Sequence, residues 1–325
     1  MKLKLWIIIV SLSMAVVSCA KPEPTATPEP TATPVPGPFT VTVVYTNDGW
    51  GYTEPCACDP SAGGLARRAS YINAVLAENE DAIVVDAGDS LLTLHHVGDR
   101  EQGRLLAQAH NKMHYDAIAL GGMDFRMGLD VLREQIDVAE YAVLSANTQD
   151  PQTGQVFDER YILIEQQGHR IALVGLTDVK ATTEVTQGAV PVSDPIEALM
   201  EVVDEVVYQA DVIIVLSHLG MVYDMNLPAL VPEVDLIVSG FDKEVYDPPL
   251  TAAGPLIVSA GSRGEHIGRV DMHFDAEGNL VSFDADMQIL TDEVAEDTEM
   301  RQWLLQSGLI PATALKSGDS GTLSQ

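Results

Sequence analysis

The stretch DVIIVLSHLG, residues 211–220, decides the fold, because an uninterrupted apolar run ends there in a serine and a histidine. A run without polar interruptions is typical of a strand that is covered on both faces, as in a parallel sheet. Further runs that predict strands lie at residues 40–46, 82–86, 116–120, 142–146, 161–165, 170–176, 234–238, 256–259, 268–274 and 281–287. The chain is therefore rich in strands, and several of them lack a polar face.

Segments with helical periodicity lie between these strands. They predict helices over residues 65–78, 101–113 and 129–138, and a fourth that begins after Ser193 as its N-cap and continues to about residue 209. Gln167-Gly168 and Glu277-Gly278-Asn279 have the composition of hairpin turns, and a last helix is expected near residues 300–306. This order predicts an α/β fold with added hairpins. We expect a single domain at residues 39–291, followed by a short helix and a flexible tail at 292–325.

The first 38 residues have the pattern of an export signal and a tether. Residues 1–18 place two lysines before an apolar core, which is typical of a signal peptide. The residues around Cys19 resemble a bacterial lipobox, which implies lipidation of Cys19, and residues 19–38 are a proline-rich tether. We therefore expect a lipid-anchored protein on the extracytoplasmic side of a bacterial cell membrane. A short uncleaved anchor remains the alternative.

The charge balance excludes one class of partner. The chain has 18 basic and 48 acidic side chains, a formal net charge of −30. A surface that binds nucleic acid needs clustered lysine and arginine, so we expect no nucleic-acid partner. A small-molecule substrate and an extracytoplasmic protein partner both remain open.

Polar side chains collect directly after the predicted strands. The residues in question are Asp48, Asp89, Asp124, Asn147 and His218. In open α/β sheets, ligands bind outside the carboxyl ends of the strands. Carboxylates, an amide and an imidazole at one edge are the donors that a divalent metal needs. Each aspartate alone is equally well explained as a cap or turn residue, but the set as a whole favours a site.

Nine segments in this order resemble the N-terminal metallophosphoesterase domain of the 5′-nucleotidase family, over roughly residues 39–290. They are VVYTND, GGLARRA, VVDAGDS, YDAIALGGMDF, LSAN, IALVGLT, DVIIVLSHLG, VDLIVSG and VSAGSRGEHIGRVDMHFD. The resemblance implies a four-layered α/β/β/α sandwich of the metallophosphoesterase, or calcineurin-like, type. It also implies a centre of two divalent metals that activate a hydroxide and polarise a phosphate.

The same resemblance implies that the metal site is depleted. Asp48, Asp89 and His218 stand at ligand positions of the family. Its other motifs are altered: Trp50 replaces the histidine of Asp-x-His, Gly121-Gly122-Met123-Asp124 replaces Gly-Asn-His-Glu, and Gly240-Phe241-Asp242-Lys243 replaces Gly-His-x-His. Met123, Asp124 and Asn147 are weaker candidate ligands, and His95 and His96 follow Asp89 in a loop that could reach the site. The metal could be Zn, Mn or Cu.

A Cys-x-Cys pair, Cys56 and Cys58, lies in the loop that follows Asp48. The pair could form a strained and therefore redox-active disulfide, or its thiolates could bind a soft metal with Met123 and His218 as companions. Both cysteines are thus candidate catalytic and metal-binding residues; two idle thiols or a plain external disulfide remain the alternative. The loop also resembles a branch of the family in which some members carry selenocysteine at the second position.

Three functions remain open at this point. The first is a lipoprotein whose phosphatase site is depleted and whose cysteine loop binds metal or performs thiol chemistry. The second is an active metal-dependent phosphoester hydrolase with an atypical ligand set. The third is a non-catalytic surface binding module.

Overall fold

The computed structural model describes residues 37–92, 100–251 and 254–310. The predicted signal peptide, Cys19, nearly all of the tether, His95, His96 and the end of the tail lie outside the described residues. None of the helices in the described ranges is both long enough and apolar enough to span a bilayer.

Twelve strands are present in the described ranges, and eleven of them lie at the predicted runs or overlap them. They are β1 (Phe39–Thr46), β2 (Ile83–Asp86), β3 (Ala117–Ala119), β4 (Ala142–Leu144), β5 (Tyr161–Gln166), β6 (His169–Thr177), β7 (Val212–His218), β8 (Leu236–Ser239), β9 (Leu250–Thr251), β10 (Leu256–Val258), β11 (His266–Phe274) and β12 (Leu280–Ile289). The sequence did not predict β9. β4 pairs with β3 and forms the edge of its sheet.

Eight α-helices accompany these strands in the same ranges. They are α1 (Leu65–Glu78), α2 (Arg100–Lys112), α3 (Leu129–Val138), α4 (Val179–Thr186), α5 (Pro195–Val206), α6 (Met221–Asp224), α7 (Leu227–Leu230) and α8 (Thr298–Ser307). A 3-10 helix at Gly122–Met127 follows β3. The sequence did not predict the 3-10 helix, α4, α6 or α7.

The predicted N-cap of α5 is wrong by one residue. Asp194, rather than Ser193, caps the helix, because its carboxylate accepts hydrogen bonds from the backbone N–H groups of Ile196 (2.8 Å) and Glu197 (3.1 Å). Ser193 donates its backbone N–H to the carbonyl oxygen of Asn147 instead (2.8 Å). A carboxylate is as good a cap as a hydroxyl, so composition could not distinguish the two residues.

The strands form two six-stranded sheets. The first has the order β12-β11-β1-β2-β3-β4, and the second has the order β5-β6-β7-β8-β10-β9. β1 to β4 run parallel to one another, as do β6, β7, β8 and β10, whereas β11, β12, β5 and β9 join antiparallel. The carboxyl ends of the parallel strands therefore carry the loops in which ligands are expected.

Three apolar cores separate four layers. The middle core lies between the sheets and contains Val43 of β1 and Ile214 of β7. Their chain neighbours Val44 and Val215 pack on the outer faces, against α1, α2 and α8 on one side and α5 on the other. This alternation follows from the two-residue period of a strand, in which successive side chains point to opposite faces. The result is the α/β/β/α sandwich that the resemblance implied.

The described part of the tail joins this packing. α8 is capped by Asp297, whose carboxylate accepts from the backbone N–H of Met300 (2.7 Å). Met300 and Leu304 are buried in the core that contains α1 and α2. The core thus extends beyond residue 291.

Candidate metal centre

Three candidate ligands from distant parts of the chain meet at the carboxyl ends of the strands. The imidazole Nε2 of His218 lies 3.5 Å from Asp89 Oδ2 and 3.7 Å from Asp48 Oδ1. One donor atom from each side chain can be chosen so that all lie within 4.8 Å of one another. All three residues are buried, so the group is largely shielded from solvent. We call it the buried triad.

Tight turns place the two aspartates of the triad. Asp48 follows β1 and Asp89 follows β2, and both have positive φ, 48° and 54°. The turns are joined by backbone hydrogen bonds, from the N–H of Asp48 to the carbonyl of Gly88 (2.9 Å) and from the N–H of Trp50 to the carbonyl of Asp89 (2.8 Å). The backbone itself therefore holds the two carboxylates side by side.

Two glycines make room for the imidazole. A Cβ atom at Gly88 or at Gly240 would lie 2.8 Å from Cδ2 of His218. Gly88 also has φ of +103°, a conformation that residues with a side chain rarely adopt. His218 can reach the carboxylates only because both neighbouring loops lack side chains at these points.

Each carboxylate of the triad is oriented by hydrogen bonds. Asp48 Oδ2 accepts from the backbone N–H of Phe241 (2.8 Å) and from Nδ2 of Asn47 (3.0 Å), and Asp48 Oδ1 accepts from the indole N–H of Trp50 (3.2 Å). Asp89 Oδ1 accepts from the backbone N–H of Met123 (2.7 Å). Oriented donors reduce the cost of assembling a metal site.

The imidazole of His218 is different, because neither of its ring nitrogens has a hydrogen-bond partner among the described residues. A buried polar atom normally has a partner, so an orphaned nitrogen beside two carboxylates indicates an absent ligand. The three donor types, two carboxylates and one imidazole, suit Zn or Mn. The residues present thus fit a single divalent ion.

The electrostatics of the triad couple its members. Burial alone lowers the pKa of His218, but the charge of Asp89 and the contact with Asp48 outweigh burial and raise that pKa to about 10. Burial raises the pKa of Asp89, and this effect exceeds the opposing charge of His218. For Asp48 burial is again the largest effect, but the nearby His218 and its charge, with the hydrogen bonds from Asn47 and Trp50, together hold its pKa below the ordinary value. A metal bound at this group would compete with the proton of the imidazole, since a histidine ligand must be deprotonated.

The weaker candidate ligands have structural contacts instead. Asp124 accepts hydrogen bonds from the backbone N–H groups of Asp89 (3.0 Å), Gly121 (2.8 Å) and Leu91 (2.8 Å). Burial first, and the charge of Asp89 second, raise the pKa of Asp124 to about 8. This carboxyl group supports the turn that carries Asp89, and Met123 contacts the triad through its backbone N–H rather than its sulfur.

Asn147 is engaged in the same way. Its Oδ1 accepts from the backbone N–H of Thr177 (2.9 Å), and its Nδ2 donates to the carbonyl oxygens of Thr177 (2.8 Å) and Ser193 (3.3 Å). These bonds connect the ends of β4 and β6 to the start of α5. Asn147 is not part of the buried triad.

Sequence reasoning missed one residue that supports His218. Asp224, at the end of α6, accepts hydrogen bonds from the hydroxyl groups of Ser217 (2.6 Å) and Ser239 (2.5 Å). It thereby connects the ends of β7 and β8 beside the triad, and burial raises its pKa to about 7. The two serines at strand ends were the available signal, but α6 is too short for periodicity to reveal it.

The cysteine pair forms a separate group. Cys56 and Cys58 are joined by a disulfide, and their neighbour among candidate ligands is Glu265 rather than a member of the triad. The loop is closed on itself, since the N–H of Cys56 donates to the carbonyl of Ala62 (2.8 Å). Cys58 is exposed and Cys56 is partly buried. The expected grouping of the sulfurs with His218 and Met123 is therefore not found, because the loop turns outward.

The fold and the buried triad together define a class. Two mixed sheets between helices, with carboxylates and an imidazole at the carboxyl ends of the strands, match the arrangement that the resemblance to calcineurin-like metallophosphoesterases implied.

Comparisons with known proteins agree with this class. A 5′-nucleotidase of Vibrio vulnificus is 27% identical over 321 residues, which covers 85% of this chain and 57% of the relative. The crystal structure of a 5′-nucleotidase precursor from Thermus thermophilus matches with a TM-score of 0.72 and 27% identity, over 83% of this chain and 58% of that one. The calcineurin-like phosphoesterase YfkN from Bacillus subtilis matches in fold, with a TM-score of 0.72, 20% identity and coverage of 83% and 97%.

The chain spans somewhat under three fifths of the lengths of the two nucleotidases. No protein-family model matches it. The resemblance stated from the sequence is nevertheless confirmed: the chain is similar in sequence to 5′-nucleotidases and to a metallophosphoesterase, and its fold matches solved structures of these proteins.

Proposed function

We propose that this protein is an extracytoplasmic lipoprotein of the metallophosphoesterase fold that binds one divalent metal ion at Asp48, Asp89 and His218. The observation that carries the proposal is the buried triad, in which three donor atoms lie within 4.8 Å and the imidazole nitrogens have no partner in the described residues. Zn or Mn is the expected ion, because carboxylate and imidazole donors suit both.

The centre is proposed to hold one ion rather than two. Trp50, Phe241 and Lys243 stand where the resemblance implies further histidine ligands. Trp50 and Phe241 touch Asp48 only as hydrogen-bond donors, through the indole and the backbone. An ion bound in the triad would act as a Lewis acid toward an anionic substrate. We expect only slow phosphoester hydrolysis, because the residues that replace the second ligand set cannot hold another metal.

This proposal is tested by metal analysis of the purified full-length protein. We expect about one equivalent of Zn or Mn after dialysis, and its loss in the Asp89→Asn variant. Asp235→Asn is the matched control, since Asp235 is a mostly buried aspartate away from the triad that accepts a backbone hydrogen bond at the start of β7. Equal metal content in the Asp89→Asn variant and the wild type would contradict the proposal.

The alternative hydrolase function is tested on the same proteins. Rapid turnover of AMP or p-nitrophenyl phosphate with Mn²⁺, Zn²⁺ or Mg²⁺, abolished by Asp89→Asn, would favour an active phosphoester hydrolase. Neither turnover nor metal binding would leave the surface binding module as the remaining function.

A second candidate activity is dithiol–disulfide exchange at Cys56 and Cys58. One observation favours it: the disulfide lies in a solvent-accessible loop, where an attacking thiolate can reach a sulfur atom. An external dithiol would reduce the bond by two electrons, giving two thiols and an oxidised dithiol. The reduced pair could instead bind Cu or Zn together with Glu265.

Thiol titration tests this activity. We expect two titratable thiols after mild reduction of the full-length protein with dithiothreitol, and none in the Cys56→Ser, Cys58→Ser double variant, with Cys19 replaced in both proteins to remove its signal. If the disulfide resists dithiothreitol in the folded protein, the exchange activity is refuted.

Membrane anchoring is part of the proposal and rests on the sequence of residues 1–38. Lipidation of Cys19 predicts that the protein partitions with the membrane and incorporates labelled fatty acid. Cys19→Ser should abolish incorporation, whereas unchanged membrane partitioning of the unlabelled variant would favour an uncleaved anchor.

A further inference from the structure

A lysine stands over an aromatic ring at the entrance to the buried triad. The ammonium Nζ of Lys243 lies 3.8 Å from the centre of the Trp50 ring, a close cation–π contact. Trp50 in turn donates its indole N–H to Asp48 Oδ1 (3.2 Å). One side chain therefore connects an exposed cation to a carboxylate of the buried triad.

The two residues that precede Lys243 in the loop after β8 are both held by contacts. The N–H of Phe241 donates to Asp48 Oδ2 (2.8 Å), and the ring of Phe241 meets the ring of His218 edge to face at 5.7 Å. The carboxylate of Asp242 accepts a hydrogen bond from the backbone N–H of Met221 at the start of α6. Lys243 is thus held in place by contacts of its neighbours rather than projecting from a free loop.

Residues with positive φ are concentrated in and around the buried triad. Among the described residues, nine residues other than glycine have positive φ, and six of them surround the triad: Asp48, Trp50, Asp89, Phe241, Lys243 and Arg263. Bulky residues such as Trp50 (52°) and Phe241 (81°) rarely adopt this conformation. Such strain persists when the surrounding structure imposes it, and it clusters at functional sites.

The charge of Lys243 is also available. No carboxylate of the described residues lies within ion-pair distance of its ammonium, although most arginines of the domain are paired with acidic side chains. The chain has only 18 basic residues against 48 acidic ones, so Lys243 is one of few cations in a strongly acidic protein.

We infer that Lys243, supported by Trp50, forms an anion-binding site at the entrance to the buried triad, and that this site receives a tetrahedral oxyanion such as a phosphate or sulfate group. The inference extends the proposed function and rests on it for the identity of the neighbouring ion. The ammonium contacts oxyanion oxygens on the solvent side, and the indole face keeps the ammonium in position. Lys243 is here a binding residue, and Trp50 is a positioning residue.

Binding of inorganic phosphate and of inorganic sulfate to the full-length protein tests this inference. Titrations are made at low ionic strength, with metal-free protein and with protein loaded with Mn²⁺, in a background with Trp6→Phe and Trp303→Phe so that Trp50 is the remaining tryptophan and its fluorescence reports on the site. We expect saturable binding that Lys243→Met weakens at least about tenfold, because contacts of charged groups are the strong ones. Lys243→Arg should retain most of the affinity.

The chain offers a matched control for the lysine. Lys112 lies over the ring of Trp303 at 5.5 Å, far from the triad in sequence and on another layer of the fold. Lys112→Met, made in the chain that keeps Trp303, should leave anion affinity unchanged. Trp50→Leu should weaken binding, measured by calorimetry, whereas Trp50→Phe keeps an aromatic face and should weaken it less.

The two anions and the metal measurements separate the outcomes. Preference for phosphate or for sulfate identifies the source of the oxyanion and supports the inference in either case. Equal affinity of the wild type and Lys243→Met overturns it, even if the Asp89-dependent metal binding is found. Anion binding that depends on Lys243 in a protein that binds no metal keeps the inference and refutes the proposed single-ion centre.

Discussion

The chain contains two groups of potential metal ligands, and they are built in opposite ways. Asp48, Asp89 and His218 are buried at strand ends, and hydrogen bonds orient both carboxylates. Cys56, Cys58 and Glu265 lie in partly or fully exposed loops, and the sulfurs are paired with each other. Burial and fixed donors favour tight retention of an ion, whereas exposure favours exchange with partners in solution. The comparison therefore separates the buried triad, which is suited to holding an ion, from the cysteine pair, which is suited to thiol–disulfide exchange.

The largest expected effect distinguishes the two groups by metal affinity. His218→Ala should lower the affinity for Zn²⁺ or Mn²⁺ by more than about 100-fold, since loss of outer contacts alone typically costs 10–100-fold. Cys56→Ser with Cys58→Ser should leave that affinity unchanged, as measured by competition with a chromophoric chelator. If the double cysteine variant loses the metal, the sulfurs belong to the centre and the comparison fails.

The close packing of the buried triad predicts a stability effect that the cysteine loop lacks. Gly240→Ala places a Cβ 2.8 Å from both the carbonyl oxygen of Ala87 and Cδ2 of His218. We expect it to lower the free energy of unfolding by about 1–3 kcal/mol, the usual cost of overpacking. Gly37→Ala, where no atom lies within 4 Å, is the control, and urea unfolding is the measurement. Equal stability of both variants would show that the triad tolerates rearrangement.

Buried carboxylates without a cation predict a pH effect. Burial raises the pKa of Asp235 to about 6, whereas that of Asp48 stays below its ordinary value because His218 is present. A raised pKa in the folded state means that the contribution of Asp235 to stability is complete below its unfolded pKa and is lost as pH rises through about 6. Asp235→Asn should therefore gain about 1–2 kcal/mol relative to wild type between pH 4 and pH 8, by urea unfolding. A pH-independent difference would contradict the assignment.

The smallest expected effect is on stability in the cysteine loop. Removal of the Cys56–Cys58 disulfide should lower the free energy of unfolding by no more than about 1.5 kcal/mol, because the disulfide closes a very short loop. Thermal unfolding of wild type and the double serine variant is the measurement. A much larger loss would mean that the loop is a structural clamp and not an exchangeable bond.

The sequence predicted most strands, the hairpin turns and the longer helices, because these elements depend on interactions between residues that are close in the chain. Continuous apolar runs such as that of β7 require burial on both faces, and Gln167-Gly168 and the segment around Gly278 turned the chain as expected. α3 matched its predicted bounds, Leu129–Val138. Short elements such as α6, with four residues, carry too little periodicity for such reasoning.

The candidate site was predicted less completely. Asp48, Asp89, Asp124 and Asn147 all follow strands in the sequence and look equivalent there. In the structure the side chains of Asp124 and Asn147 form hydrogen bonds with backbone groups. The carboxylates of Asp48 and Asp89 instead lie beside the imidazole of His218. The hydrogen bonds that separate these roles join segments more than thirty residues apart in several cases, so no local pattern reveals them.

The amino-acid order alone determined that this chain has an α/β fold with added hairpins and which few polar residues lie at its strand ends, because apolar periodicity and turn chemistry act over short distances. Only the tertiary structure decided which of those residues meet, that the sulfurs pair apart from the buried triad, and that Lys243 rests on Trp50. These outcomes depend on loop paths and on the packing of two sheets, which bring side chains together across about two hundred residues of chain.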